Sequence, residues 1–173
     1  MTNPLQTRFQ RDDIHTISLF VANKPGVLLR ICLVFSRRGF NIESLVVSPA
    51  FDGRFSRMTI TAQGDLKTLE QIIKQCSKLI DVVHAAEHDS SLALEKEFAL
   101  VKVKLKKDNR VEILQLVQHF HAESIDFSDN TLVFQIIGDT EKLNKCISVF
   151  EPFGIIEMVR SGKMVISKGT EET

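Results

Sequence analysis

Gly64-Asp65 and Gly138-Asp139 occupy the same place in a pattern that runs through the chain twice, and this repetition restricts the fold more than any other feature. Each pair opens an apolar helical stripe, and Leu69 and Leu143 follow at the same spacing from the glycine. In the first half, Ile14 to Ala22 alternates as a strand does, with His15, Ile17, Leu19 and Val21 on one side and Ile14, Thr16, Ser18 and Phe20 on the other. Leu28, Ile31, Cys32 and Phe35 then mark an amphipathic helix. Arg37-Arg38-Gly39 reads as its exit, with basic residues in the last turn and a glycine suited to a left-handed cap. A strand over Phe40 to Val47, a turn over Pro49 to Gly53 and a strand over Phe55 to Ala62 follow, the last with Ser56, Met58, Ile60 and Ala62 on one face. The helix after Gly64-Asp65 is striped by Leu66, Leu69, Ile72 or Ile73, and Cys76, and Ile80 to Ala86 reads as a fourth strand.

The second half follows the same plan. Ala99, Val101, Val103 and Leu105 face one way and Lys102, Lys104 and Lys106 the other, which gives that strand one wet side. A helix striped by Ile113, Leu116, Val117 and Phe120 leads to a hairpin, Ser124 to Ser128 and Thr131 to Ile137, around Asp129-Asn130. A helix striped by Leu143, Cys146, Ile147 and Phe150 and a strand over Ile155 to Val159 complete the pattern. The order β-α-β-β-α-β, met twice, is the ferredoxin-like arrangement. The expected class is α+β, as two tandem ferredoxin-like βαββαβ domains over residues 14–88 and 94–169, with flexible tails at 1–13 and 170–173.

Bulk properties narrow the function. Lysine plus arginine and aspartate plus glutamate each total 22, so no basic excess points to nucleic acid or anionic lipid. No apolar run approaches a membrane span, and Met1 to Asp13 lacks the apolar middle of a signal peptide, so a cytoplasmic protein is expected. Cys32, Cys76 and Cys146 each lie in an apolar stripe and none forms a C-x-x-C pair, which suits reduced core thiols. His84 and His88 lie on or beside a strand, where four residues separate them by ~13 Å, so no metal site is expected.

No dinucleotide loop, Walker loop, nucleophile elbow or metal-binding helix pair occurs, and no catalytic residue is assigned. An RNA-recognition module shares the βαββαβ order, but its third strand stacks bases on aromatics. Here Phe55-Ser56-Arg57-Met58-Thr59-Ile60 carries one aromatic, and the chain has no tryptophan or tyrosine. The stretch most open to a ligand is Asn23-Lys24-Pro25-Gly26-Val27-Leu28, between the first strand and the first helix. An ordinary helix start, with Asn23 as cap and Pro25 in the first turn, explains two of these residues. It does not require Gly26 followed by two apolar residues. With no Cβ at Gly26, a small carboxylate can approach the helix N–H groups closely.

These residues, with Phe35, Arg38-Gly39-Phe40-Asn41-Ile42-Glu43-Ser44-Leu45, Pro49, Ser56 to Ile60 and Leu69 to Ile72, resemble the small regulatory subunit of acetolactate synthase. Glu97 to Val103 and Val159-Arg160-Ser161-Gly162 resemble that family's C-terminal domain. The resemblance implies an N-terminal ACT domain and a non-catalytic subunit. Its implied partner is the large catalytic subunit, which carries thiamine diphosphate, magnesium and FAD, with no cofactor on this chain. It further implies stimulation of that subunit, feedback inhibition by a branched-chain amino acid such as valine, and a homodimer through the ACT domains. Carried over residue by residue, Asn23, Gly26, Val27 and Leu28 would line the effector site from one protomer, with Asn41 and Ile42 from its neighbour. A stand-alone ACT-type amino-acid sensor is the alternative, with the RNA-binding module behind it.

Overall fold

The computed structural model describes residues 14–88, 92–170 and 173. The tail expected at 1–13 lies outside the described residues, as do residues 171–172 of the tail expected at 170–173 and most of the junction between the two halves. The chain divides into two compact units, residues 1–95 with 162–173, and residues 96–161.

The first unit holds β1 (Ile14–Ala22), α1 (Val27–Arg37), β2 (Asn41–Pro49), β3 (Phe55–Gln63), α2 (Leu66–Cys76) and β4 (Val82–Glu87). Its antiparallel sheet has the strand order β2-β3-β1-β4. Ile17, Leu19 and Val21 of β1 and Met58, Ile60 and Ala62 of β3 point to one side and meet Val27, Ile31 and Phe35 of α1 and Leu69, Ile72 and Cys76 of α2. Strand alternation and helix stripe thus build one core.

The other side of this sheet is unusual. Thr16, Ser18, Thr59 and Thr61 lie there, and all four are buried although a hydroxyl row reads as a solvent face. Residues 162–170 account for it. The strand β5 (Ala93–Lys104) begins beside a short strand, β9 (Met164–Ser167), that the alternation did not announce, and the two pair. Gly162 comes so close to Ser44 that a Cβ there would lie 2.6 Å from the Ser44 Cβ. Lys163 Nζ lies 3.4 Å from Thr16 Oγ1, and Arg57 donates to the carbonyl of Thr173. Residues 162–170 therefore group with the first unit, whereas the sequence pattern placed them with the second half.

The second unit takes the rest of β5, then α3 (Arg110–His119), β6 (Glu123–Phe127), β7 (Thr131–Gly138), α4 (Thr140–Phe150) and β8 (Ile155–Arg160). The strand order is β6-β7-β5-β8. Ala99, Val101, Val103, Leu132, Phe134 and Ile136 meet Ile113, Val117, Leu143, Cys146 and Phe150 in a second core. At its margin Arg160 holds the buried Glu97 through Nε and Nη2, and Thr140 Oγ1 donates to the same carboxylate. Asn144 Oδ1 accepts from Arg160 Nη1 at 2.8 Å, so the buried pair is fully engaged. The α+β class with two βαββαβ sheets is thus the architecture observed.

Several boundaries differ from the sequence reading. The fourth strand starts at Val82 rather than Ile80, because Ile80 lies in the preceding turn and is fully exposed. In α1 the buried stripe is Val27, Ile31 and Phe35, so Leu28 points outward. In α2, Leu66 is likewise exposed.

Candidate functional site

The mouth of α1 is built differently from the sequence reading. Gly26 has φ +83°, the left-handed region that favours glycine, and stands at the cap position immediately before Val27. This turn delays the helix start, so Asn23 is no cap and Pro25 precedes the helix rather than lying in its first turn. Asn23 does something else. Its Nδ2 donates to the carbonyl of Gly53 at 3.0 Å, and its backbone N–H donates to the carbonyl of Arg54 at 2.8 Å. Both bonds tie the loop to the tip of the β2–β3 hairpin and orient the Asn23 amide with its oxygen as the acceptor end.

The first N–H groups of a helix have no partner within it, and the dipole makes that end attractive to an anion. The other three α-helices among the described residues answer this locally. Asp65 and Asp139 accept from the N–H groups of Thr68 and Lys142, and α3 carries Glu112 in its first turn. The α1 start has neither a capping side chain nor an acid. Beside it stands a cation that sequence spacing did not single out. A Cβ on Gly26 would lie 3.4 Å from Arg30 Nη1, while Arg30 Nη2 donates to Asp81 Oδ2 at 2.5 Å. The signal was available, since Arg30 falls one turn after Gly26.

The six expected site residues are not all brought together. Asn23, Gly26 and Leu28 are exposed at one end of the first sheet. Val27 is there too, but its side chain is buried in the core and its backbone N–H donates to the carbonyl of Lys24 at 3.4 Å. Asn41 pairs with Gln63, which pairs with Ile14, so Asn41 and Ile42 stand at the opposite end of the sheet. The length of β2 between Asn41 and Pro49 is about 26 Å at ~3.3 Å per residue. Within one chain these halves cannot touch a single amino acid. β2 is, however, an edge strand.

Of the cysteines and histidines elsewhere, Cys32 is half-buried and His84, His119 and His121 are exposed, while others are engaged or buried. Cys76 and Cys146 are buried thiols, pushed up by desolvation to about 11 and about 12. His15 bridges Glu87 Oε1 at 2.8 Å and the carbonyl of Gly64 at 3.1 Å. Among the described residues no group of three or more His, Cys, Asp or Glu side chains is placed to hold a metal ion. Among them, too, no helix is long and apolar enough to cross a membrane. The face on which an RNA-recognition module would stack bases is covered at Thr16, Ser18, Thr59 and Thr61, and Phe20 and Phe55 stack on one another at 5.0 Å.

Comparison with known proteins decides between the readings. Residues 17–84 match the family described as AHAS small subunit-like ACT domain, and residues 96–169 match the small subunit of acetolactate synthase. The chain belongs to the acetolactate synthase small subunit family. The acetolactate synthase small subunit of Mycobacterium leprae is 41% identical over 90% of this chain and 92% of its own length. That of Mycobacterium bovis is 43% identical over the same shares. The crystal structure of the small subunit from Thermotoga maritima superposes with a TM-score of 0.82 at 36% identity, covering 91% of this chain and 99% of that one. The ACT domain and the small-subunit kinship give the chain a regulatory role beside a catalytic large subunit. Both the fold class and the family read from the sequence are borne out.

Proposed function

We propose that this small subunit stimulates the acetolactate synthase large subunit and makes it answer to a branched-chain amino acid, valine foremost, bound at the mouth of α1. The observation that carries the reading is the α1 start, a left-handed glycine with neither cap nor acid, flanked by an exposed leucine and an arginine. A free amino acid presents a carboxylate, an ammonium and a short apolar chain. The helix N–H groups and the Arg30 guanidinium suit the carboxylate, the Asn23 amide oxygen suits the ammonium, and Leu28 suits the side chain.

The site needs a second copy. An antiparallel pairing of two β2 edge strands would carry Asn41 and Ile42 of one protomer toward Gly26 of its partner, which a single chain cannot do. Such a homodimer makes the effector part of an interface, so its occupancy can bias the arrangement of two subunits. Valine has about 8 heavy atoms, and a Kd of roughly 10 µM to 1 mM is expected after ordering costs. A methylene is worth only ~1–3 kcal/mol in an apolar pocket, so leucine and isoleucine should follow within about 200-fold. Thiamine diphosphate, magnesium and FAD belong to the large subunit in this reading, and acetolactate chemistry with them.

Reconstitution tests it. The chain alone, given pyruvate and all three cofactors, should form no acetolactate, and adding it to its large subunit should raise turnover and install inhibition by valine. Turnover by the chain alone, or a reconstituted enzyme blind to all three branched-chain amino acids, would refute the proposal.

A further inference from the structure

The covered face of the first sheet carries a group that neither the fold nor the effector site uses. His88 follows β4 directly, and its backbone N–H donates to the carbonyl of Thr16 at 2.9 Å. Its Nε2 is shut off from solvent without a hydrogen-bond partner, and so is Ser18 Oγ, two residues along β1 on the same face. Over this face lies Lys163, whose Nζ donates to Glu95 Oε2 at 2.8 Å and reaches Thr16 Oγ1 at 3.4 Å. The Lys163–Glu95 pair is itself largely buried, with side-chain exposures of 19% and 15%. A buried imidazole nitrogen without a partner, next to a buried ion pair, is an arrangement that a proton would upset.

We propose that residues 162–170 are a proton-sensitive strap, pinned over the first sheet by Lys163 on Glu95 and loosened when His88 becomes charged. Among the described residues, the charged or titratable groups that act on His88 are Glu95 of β5 and His84 of β4. Lys163 of the strap stands one contact further, on Glu95 and on the hydroxyl of Thr16, whose carbonyl accepts the His88 N–H. His15 of β1 is occupied with Glu87 and the Gly64 carbonyl. Burial holds the His88 imidazole below its ordinary value, Glu95 pulls the other way, and His84 adds to the lowering. With the strap lifted, His88 meets water and returns toward about 6.5. Protons therefore bind the open form better, so closure is complete above about pH 6.5 and is lost as pH falls through the lower closed-state value. A charged His88 also sets a second cation on the carboxylate that holds Lys163.

Hydrogen exchange of the full chain, corrected for intrinsic rates and followed from pH 8 to pH 5, reads this directly. The amides of residues 164–168 should lose protection at least tenfold across the window, with the β1 and β3 amides unchanged. His88→Gln, which keeps a polar side chain but cannot charge, should make strap protection independent of pH. Lys163→Met should lower strap protection even at pH 8. The idea is overturned if the wild-type strap keeps its protection at pH 5, or if His88→Gln loses it as wild type does. Should the variant fail to fold, the imidazole resonances of the wild-type chain take its place. A strap that stays equally protected while His88 titrates would overturn the proposal as well.

Discussion

The two units begin their second helices alike and their first helices differently. In α2 and α4 the aspartate of a Gly-Asp pair accepts from the third N–H of the helix, from Thr68 in one and Lys142 in the other. In α1, Gly26 leaves the cap position without a side chain, whereas in α3 Asn109 turns its amide oxygen back onto the N–H of Lys106 and Glu112 supplies a charge. Repetition of a fold thus preserves the starts that only hold a helix in place. Of the two starts that depart from the pattern, only that of α1 also lacks an acid in its first turn, and the proposed effector site is placed there.

The open faces of the sheets diverge as well. Hydroxyls and a strap occupy that face in the first unit, while the second presents Phe98, Leu100, Val133, Ile137 and Val159 together with Lys102. Each unit also holds a largely buried ion pair among the described residues. Glu97–Arg160 lies at the margin of a core and Glu95–Lys163 under a strap, so the same chemistry serves packing in one unit and closure in the other.

The largest effect that separates the units should come from Arg160→Met. Removing the guanidinium leaves Glu97 buried and charged, an imbalance worth about 3–5 kcal/mol. Urea unfolding should show the second unit melting early, and the double change Glu97→Gln with Arg160→Met should recover much of the loss. A midpoint unchanged by Arg160→Met would contradict the role given to the pair.

The element order was legible in the sequence because it rests on local signals. Alternation, helical stripes and Gly-Asp starts each need only a few neighbouring residues. What stayed hidden depends on distant ones. The four-residue strand β9 has too few positions to show a period, and the burial of Thr16, Ser18, Thr59 and Thr61 depends on a segment far along the chain, from Gly162 onward. At α1 the stripe kept Ile31 and Phe35, but a left-handed Gly26 set the first turn, which turned Val27 inward and Leu28 outward. Asn23 looked like a cap since an amide before a helix commonly is one, and its true partner, Gly53, lies on another element. The division of the expected site between the two ends of a sheet required the register of three strands.

A medium effect should split the Gly-Asp echo itself. A Cβ at Gly64 would lie 2.1 Å from Phe40 Cζ, inside the ring that packs on it, whereas a Cβ at Gly138 would meet chiefly the flexible Lys142 chain at 2.6 Å. Gly64→Ala should therefore cost ~1–3 kcal/mol as overpacking, and Gly138→Ala less than about 1 kcal/mol. Equal losses on urea titration would show that the two glycines serve one purpose.

The smallest effect is a matter of pH. The Thr68 hydroxyl, then its N–H, donate to Asp65 and hold its carboxyl below the usual carboxylate range. The α2 cap is thus fully present above about pH 4 and weakens as pH falls through the lower folded-state value. Protection of the first α2 amides should decline in that range for wild type and stay flat for Asp65→Asn, which caps without titrating. A flat wild-type profile would remove the carboxylate from the cap.

Calorimetric titration of the full chain with valine bears most directly on the mouth of α1 as effector site. Gly26 needs care, since any side chain there is strained at φ +83°, by ~1–2 kcal/mol, though aspartate tolerates this region better than most. The informative set is therefore wild type, Gly26→Ala for strain alone, Gly26→Asp for strain with an added carboxylate, and Asn109→Asp for the same charge on the other unit. Wild type and Asn109→Asp should bind valine alike, Gly26→Ala more weakly, and Gly26→Asp not measurably, with circular dichroism confirming that each is folded. Wild-type affinity in a folded Gly26→Asp, or loss of binding in Asn109→Asp instead, would contradict the assignment of the effector to the α1 mouth.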